Sequence, residues 1–456
     1  MPYVEGHGTW PFGEEWLWEA VATVYVPLLD VIDGAPVTLG LTPVLCDQLE
    51  AMRGEAGDRY LRFLREIRSQ VHTLDGDGLE RAGERELAAE IRRAAGDYRA
   101  ADGAFERRGR DLIAAFGALE RVELWTSAAT HALLPLLATD AGMRLQLATG
   151  TSSHLRRFGR WDGGFWLPEC AYAPGIEREL ADQGVRAFCV DQTPVEGFDA
   201  LTPVATGSAA VAVPVDWPTV ELVCHADGYP ADPLYRDYHR RTVHDLRPWA
   251  NGGSAYDREA ALARAGEHAR DFVERAARRV EGGGLLCCAL DTELLGHWWY
   301  EGPEWLAAVL REAERAGLRL VTVSEGVELV EPVERPLSQG SWGARKDLST
   351  WDAPRVAEIA WAARDAELRT VAAAAAGAGG HAALERAARE LLAIQASDWA
   401  FLVTRELAGD YPQSRLSGHG QSLDSALAAL ADSTGAPEPA LKNLAPDLDL
   451  SALTTP

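Results

Sequence analysis

Two short segments carry carboxylates where they could do chemistry. Glu169 follows the apolar run 164–167 and a proline, and Asp291 closes the wholly apolar run 285–290. Aromatic residues crowd both: Trp166 and Tyr172 beside the first, His297, Trp298, Trp299 and Tyr300 after the second. Paired carboxylates bordered by indoles suit glycosyl transfer with retention. One attacks the anomeric carbon; the other protonates the departing oxygen and then deprotonates the incoming nucleophile, at a separation of about 5–5.5 Å. Indole faces also match the apolar faces of sugar rings. Helix caps or ion-pair members are the competing reading of the two acids, and spacing alone leaves both open.

Such a pair needs a scaffold that brings distant segments to one place. In a parallel α/β barrel, reacting groups gather at the C-terminal strand ends. Short apolar runs at 122–126, 145–149, 164–167, 187–190, 210–215, 285–290 and 318–323 read as strands. Helical spacing is found at 13–33, 128–138, 175–183, 257–280 and 302–316, with a further short apolar piece at 37–41. Strands alternating with helices imply a parallel sheet, and the number of units favours closure into a barrel. Residues 48–119 are rich in Arg, Glu and Ala and read as a helical insertion with solvated faces rather than a binding site. Beyond 336, two Ala-rich helices at 354–374 and 382–395, flanking the low-complexity stretch 372–380, suggest a separate all-α domain to about 430. Residues 431–456 contain four prolines and few large apolar groups, the pattern of a loosely ordered tail.

Composition excludes several partners. The 456 residues hold 44 Lys+Arg against 69 Asp+Glu, a net charge of -25. That surface repels phosphate backbones and anionic lipid, so neither nucleic acid nor membrane is expected. Fifteen of the 36 aromatic residues are Trp, a bias consistent with sugar contact. The six cysteines form no C-x-x-C pair, and residues 1–10 show no basic or apolar leader pattern; free thiols in the cytoplasm are expected. The eleven histidines show no His-x-x-x-His pair, which disfavours a metal-dependent deacetylase on a similar barrel, and no metal or cofactor is expected.

The segments Trp166-Leu-Pro-Glu169-Cys-Ala-Tyr172 and 290–302 resemble two signature regions of glycoside hydrolase family 57, closest to its 1,4-α-glucan branching enzymes. Segments 10–15, 122–131, 227–232, 340–343 and 397–401 match further pieces of that pattern, in order. The resemblance implies a distorted (β/α)7 barrel over 1–47 and 120–335, the insertion at 48–119, and a helical domain at 336–430. It implies Glu169 as nucleophile and Asp291 as general acid/base, with Tyr229 on a loop shielding the site from water. Substrate contacts would come from Trp10, His131, Trp166, Arg247, His297, Trp298, Trp299, Trp342, Asp398 and Trp399. The implied reaction cleaves an α-1,4 bond of an α-glucan and transfers the chain to a 6-hydroxyl. A 4-α-glucanotransferase or an α-amylase of the same family, or a non-catalytic glucan-binding protein, are the alternatives.

Two departures stand out. The family opens with a strand ending in His-x-Pro, whereas this sequence starts Met1-Pro2-Tyr3. Roughly a dozen further N-terminal residues, a strand's worth, are therefore expected. Where the family carries Thr-Gly-Gln after its Asp-Trp motif, residues 404–407 read Thr-Arg-Glu-Leu.

Overall fold

The computed structural model describes residues 2–378, 382–432 and 444–453. Seven strands form one sheet: β1 (Thr38–Gly40), β2 (Glu123–Ser127), β3 (Gly164–Trp166), β4 (Ala187–Asp191), β5 (Val204–Ala205), β6 (Val211–Val215) and β7 (Val333–Glu334). Their order is β1-β2-β3-β4-β6-β5-β7. The pairs from β1 through β4 to β6 are all parallel, β5 runs antiparallel to β6, and β7 is parallel to β5. The sheet curls into a distorted (β/α)7 barrel with helices outside. Parallel strands buried on both faces must be apolar throughout, and β4 is buried along its whole length.

Several expected strands take another form. The run 145–149 lies inside the helix Asp140–Phe158. Its ends decide this: the Thr139 hydroxyl accepts from Gly142 N, and Gly159 closes the helix at φ 72°. Runs 285–290 and 318–321 form no strand. Both line the same cavity as the outer edge of β1. Leu285 N donates to Leu201 O and Cys287 O accepts from Asp216 N, each at 2.8 Å, but these isolated bonds do not make a ladder. Residues 128–138 form only the short turn Leu134–Leu136, because Pro135 and the left-handed His131 (φ 58°) interrupt a helix.

The first helix runs through Glu14–Ala20, Val21–Tyr25 and Val26–Ile32, with the middle piece wound as a π-turn. Helices Ser69–Arg81 and Arg85–Arg107 of the insertion pack on each other. They differ from the expected solvated faces in one respect: Arg68, His72, Glu90, Asp97 and Tyr98 line the central cavity. C-terminally, Ala357–Ala373, Ala382–Ile394, Asp398–Arg405 and Tyr411–Ala431 build a helical unit around Leu391, Leu392 and Leu423. Part of the stretch 372–380 and residues 433–443 lie outside the described residues.

Residues 444–453 are packed rather than loose. Leu444, Ala452 and Leu453 are buried, and Asp447 accepts from Arg157 at 3.1 Å. Apolar side chains and one acid suffice to seat this segment on helix Asp140–Phe158. Among the described residues, no helix is long and apolar enough to cross a membrane.

Arg157 is the knot of this arrangement. Its side chain is 1% exposed and also meets Asp47 at 2.6 Å and Glu50 at 2.8 Å. Removing one partner of a buried pair leaves the other charge uncompensated. Arg157→Ala is expected to cost about 3–5 kcal/mol in urea unfolding, and a loss under ~1 kcal/mol would show the group to be solvent-screened.

Candidate active site

The β3 strand delivers Trp166 and then turns sharply. Glu169 (φ 59°) and Cys170 (φ 50°) are both left-handed, a conformation unfavourable for side chains bearing a Cβ. Two such residues in succession store strain at the candidate nucleophile, the kind of outlier found at functional sites. The strain is held in place by backbone bonds: Cys170 N to Leu167 O at 2.9 Å, and Trp342 N to Glu169 O at 2.9 Å. Tyr172 and Gly340 form a bridge alongside, and a Cβ on Gly340 would meet Pro194 at 2.6 Å.

Glu169 and Asp291 line one cavity of about 2460 Å³. Burial, then the Asp291 charge, pushes the Glu169 carboxyl up to about 8, opposed by a hydrogen bond from Trp342. Burial, then Glu293, pushes Asp291 up to about 7. Both shifts favour the protonated form, so the pair readily holds one proton. Hydrogen bonding separates the two. The Trp342 indole Nε1 donates to Glu169 Oε2 at 2.7 Å, whereas no described residue donates to the Asp291 carboxyl. A donor aimed at a carboxylate stabilises its charged form. We therefore place the charge on Glu169 and the proton on Asp291, against the order of the two values.

The remaining candidates divide. His131, Trp10, Trp166, Arg247, His297, Trp298, Trp342 and Asp398 all line the cavity. His131 Nδ1 lies 2.9 Å from the Ser397 hydroxyl and 3.9 Å from Glu169, and burial lowers its pKa to about 4, so the ring is neutral. Trp10 (60% exposed) and Trp298 (48%) present open indole faces. Trp298 lies 4.6 Å from the Tyr238 ring, over which Arg247 stands at 4.0 Å.

The structure does not bring Trp299, Trp399 or Tyr229 to the cavity surface. Trp299 is buried against Trp305 and Tyr235. Trp399 is wholly buried and donates to Ala393 O at 2.8 Å. Both serve as packing, because a large indole at a helix or turn start fills the adjacent core. Tyr229 stacks on His268 at 4.5 Å and donates to Asp271 at 2.7 Å, while its neighbours His225, Ala226 and Pro230 line the cavity.

Sequence reading missed several contributors. Glu293 accepts from Tyr25 at 3.1 Å, and Tyr25 lies on the π-turn of the first helix. A carboxylate two residues after Asp291 was the available signal. A Cβ on Gly296 would meet Thr23 O at 2.1 Å, so glycine lets this turn seat closely against that helix. Among the described residues, no group of three or more His, Cys, Asp or Glu is arranged to hold a metal ion.

Residues 1–337 match the profile of glycosyl hydrolase family 57, and residues 361–448 match the C-terminal region of 1,4-alpha-glucan branching enzymes. The chain belongs to glycoside hydrolase family 57. It is 32% identical to the 1,4-alpha-glucan branching enzyme of Thermococcus kodakarensis, covering 92% of this chain and 71% of that one. It is 31% identical to a probable 1,4-alpha-glucan branching enzyme of Mycobacterium tuberculosis, covering 94% and 90%. Its fold superposes on the crystal structure of a family 57 branching enzyme from Pyrococcus horikoshii with a TM-score of 0.91 at 30% identity, covering 99% and 94% of the two chains. An alpha-amylase of Thermotoga maritima shares the fold, with a TM-score of 0.81 at 22% identity, covering 100% of this chain and 93% of that one.

A raised carboxyl pKa has a stability signature. The folded state holds the Asp291 proton more tightly than the unfolded chain does, so stability falls as pH rises from 3.8 toward about 7. Asp291→Asn removes that penalty. Its melting temperature is expected to match wild type near pH 4 and exceed it at pH 8; equal melting temperatures at both would contradict the shift.

Proposed function

We propose that this family 57 protein is a retaining α-glucan branching transferase with Glu169 as nucleophile and Asp291 as general acid/base. The carrying observation is the asymmetry of the carboxyl pair: one stabilised as an anion by an indole donor, the other buried without a donor. In the first half-reaction Glu169 attacks the anomeric carbon of an α-1,4 linkage while Asp291 gives its proton to the departing 4-oxygen. A glycosyl ester on Glu169 results. In the second, Asp291 takes the proton of an acceptor 6-hydroxyl, whose oxygen attacks the same carbon and frees Glu169. Two inversions retain the α configuration.

Acceptor choice depends on the rest of the cavity. Trp10, Trp166 and Trp298 offer flat apolar faces to glucose rings, and His131, His297, Arg247 and Asp398 offer polar contacts. The Trp342 indole is committed to Glu169. In this reading the barrel comprises 1–47 and 120–335, the insertion 48–119 supplies one cleft wall, and the helical domain 336–430 contributes Trp342 and Asp398. The buried free thiols Cys46, Cys170, Cys189 and Cys287 suit a cytoplasmic enzyme. The residues 225–231 would exclude water through the His225, Ala226 and Pro230 contacts rather than through the Tyr229 ring.

Linkage analysis of amylose incubated with the protein decides the reaction. New α-1,6 bonds without growth of reducing ends support transfer; reducing ends alone would reassign the chain as a hydrolase. Asp291→Ala is expected to slow turnover by about 10²–10⁴-fold, and unaltered turnover would remove Asp291 from its role.

A further inference from the structure

The donor that steadies Glu169 sits 173 residues away, on the turn 340–347. Main-chain bonds close that turn on itself. Ser341 N donates to Lys346 O at 3.2 Å, and Lys346 N to Gly343 O at 2.8 Å. The Ser341 hydroxyl accepts from Gly343 N at 3.1 Å and donates to Asp347 O. Lys346 itself is left-handed (φ 60°), which turns its side chain back toward the sheet.

The Lys346 ammonium then does something unusual for a surface turn. It donates to Asp191 Oδ2 at 2.7 Å and lies 2.9 Å from the centre of the Trp217 ring. Asp191 is the last residue of β4 and is 0% exposed. Its other oxygen accepts from Thr193 N at 2.9 Å and from the Thr193 hydroxyl at 2.7 Å. Trp217 opens the helix Trp217–Cys224 just after β6, and its ring lines the cavity. One lysine therefore ties the Trp342 turn to the ends of two barrel strands. Burying a carboxylate carries a large desolvation cost, which a close, well-oriented cation offsets. An exposed ion pair would hold the turn with less cost and less precision.

We propose that the Asp191–Lys346 pair is a positioning device for the transfer reaction: it fixes the 340–347 turn so that the Trp342 indole meets Glu169 and keeps the negative charge there. The proposal rests on the reading of Glu169 as nucleophile. Displacing such a donor by an ångström weakens its bond and misplaces the attacking oxygen. Asp291, Glu293, Asp398 and His131 also face Glu169, and they are unchanged in every variant below.

The test compares pH profiles of kcat/KM on amylose. Lys346→Met is expected to lower kcat by roughly 10–100-fold with KM within about threefold. Its acid limb should move to higher pH, as in Trp342→Phe, because Glu169 loses the bond that favours its ionised form. Lys346→Met combined with Trp342→Phe should move the limb no further. Asp191→Leu should also move it upward, whereas through-space charge alone would move it downward, since a negative group has been removed. An unmoved limb in Lys346→Met, an additive double variant or a downward shift in Asp191→Leu overturns the proposal. If Asp191→Leu does not fold, the double variant decides instead, because loss of the Lys346 charge acting through space would add to the Trp342→Phe shift whereas loss of positioning would not. Glu169→Gln is the control for the underlying reading: activity retained there refutes the nucleophile, while an inactive Glu169→Gln beside an unmoved Lys346→Met limb refutes only the positioning role.

Discussion

A carboxyl group in an apolar cavity resists ionisation, and two in one cavity resist it more. The proposed reaction nevertheless requires one of them to be charged. That constraint organises the structure around Glu169. The left-handed turn at Glu169 and Cys170 presents the carboxyl to the cleft. The Trp342 main chain holds that turn, and the Trp342 indole supplies, among the described residues, the one hydrogen-bond donor to its carboxyl. Asp291, approached by no such donor and pressed by the Glu293 charge, becomes the natural place for the proton. The difference between two chemically similar acids thus comes from a single hydrogen bond.

Much of this was legible in the sequence. Acids that end wholly apolar runs stand out, and Glu169 and Asp291 both do so, although only the first of the two runs forms a strand. The Asp257–Val280 helix was recognisable from its periodicity, and the structure shows Asp257 capping it. Misreadings have physical causes. Residues 145–149 alternate like a strand, yet the capping signals of their helix lie at Thr139 and Gly159, outside the run itself. Trp298 and Trp299 are neighbours of the same type, and only packing against Trp305 decides that one faces the cleft and the other the core. Asp191 and Lys346 lie 155 residues apart, and no local pattern joins them.

The helical unit meets the barrel through a buried polar cluster. Gln146 donates to Thr130 at 3.0 Å and to Gln395 at 2.9 Å. Glu367 accepts from Ala138 N, Thr139 N, the Thr139 hydroxyl and Gln395. Thr130 in turn donates to Leu392 O. Such networks are worth their burial only when every member is satisfied, and separating the two units would strand several of these groups at once.

That cluster has a mechanical consequence. Hinged enzymes admit large substrates by swinging one body away from another about a few compliant residues. Here swinging the helical unit away from the barrel would strand several buried polar groups at once, at about 1–3 kcal/mol each, so that joint is a poor place for a hinge.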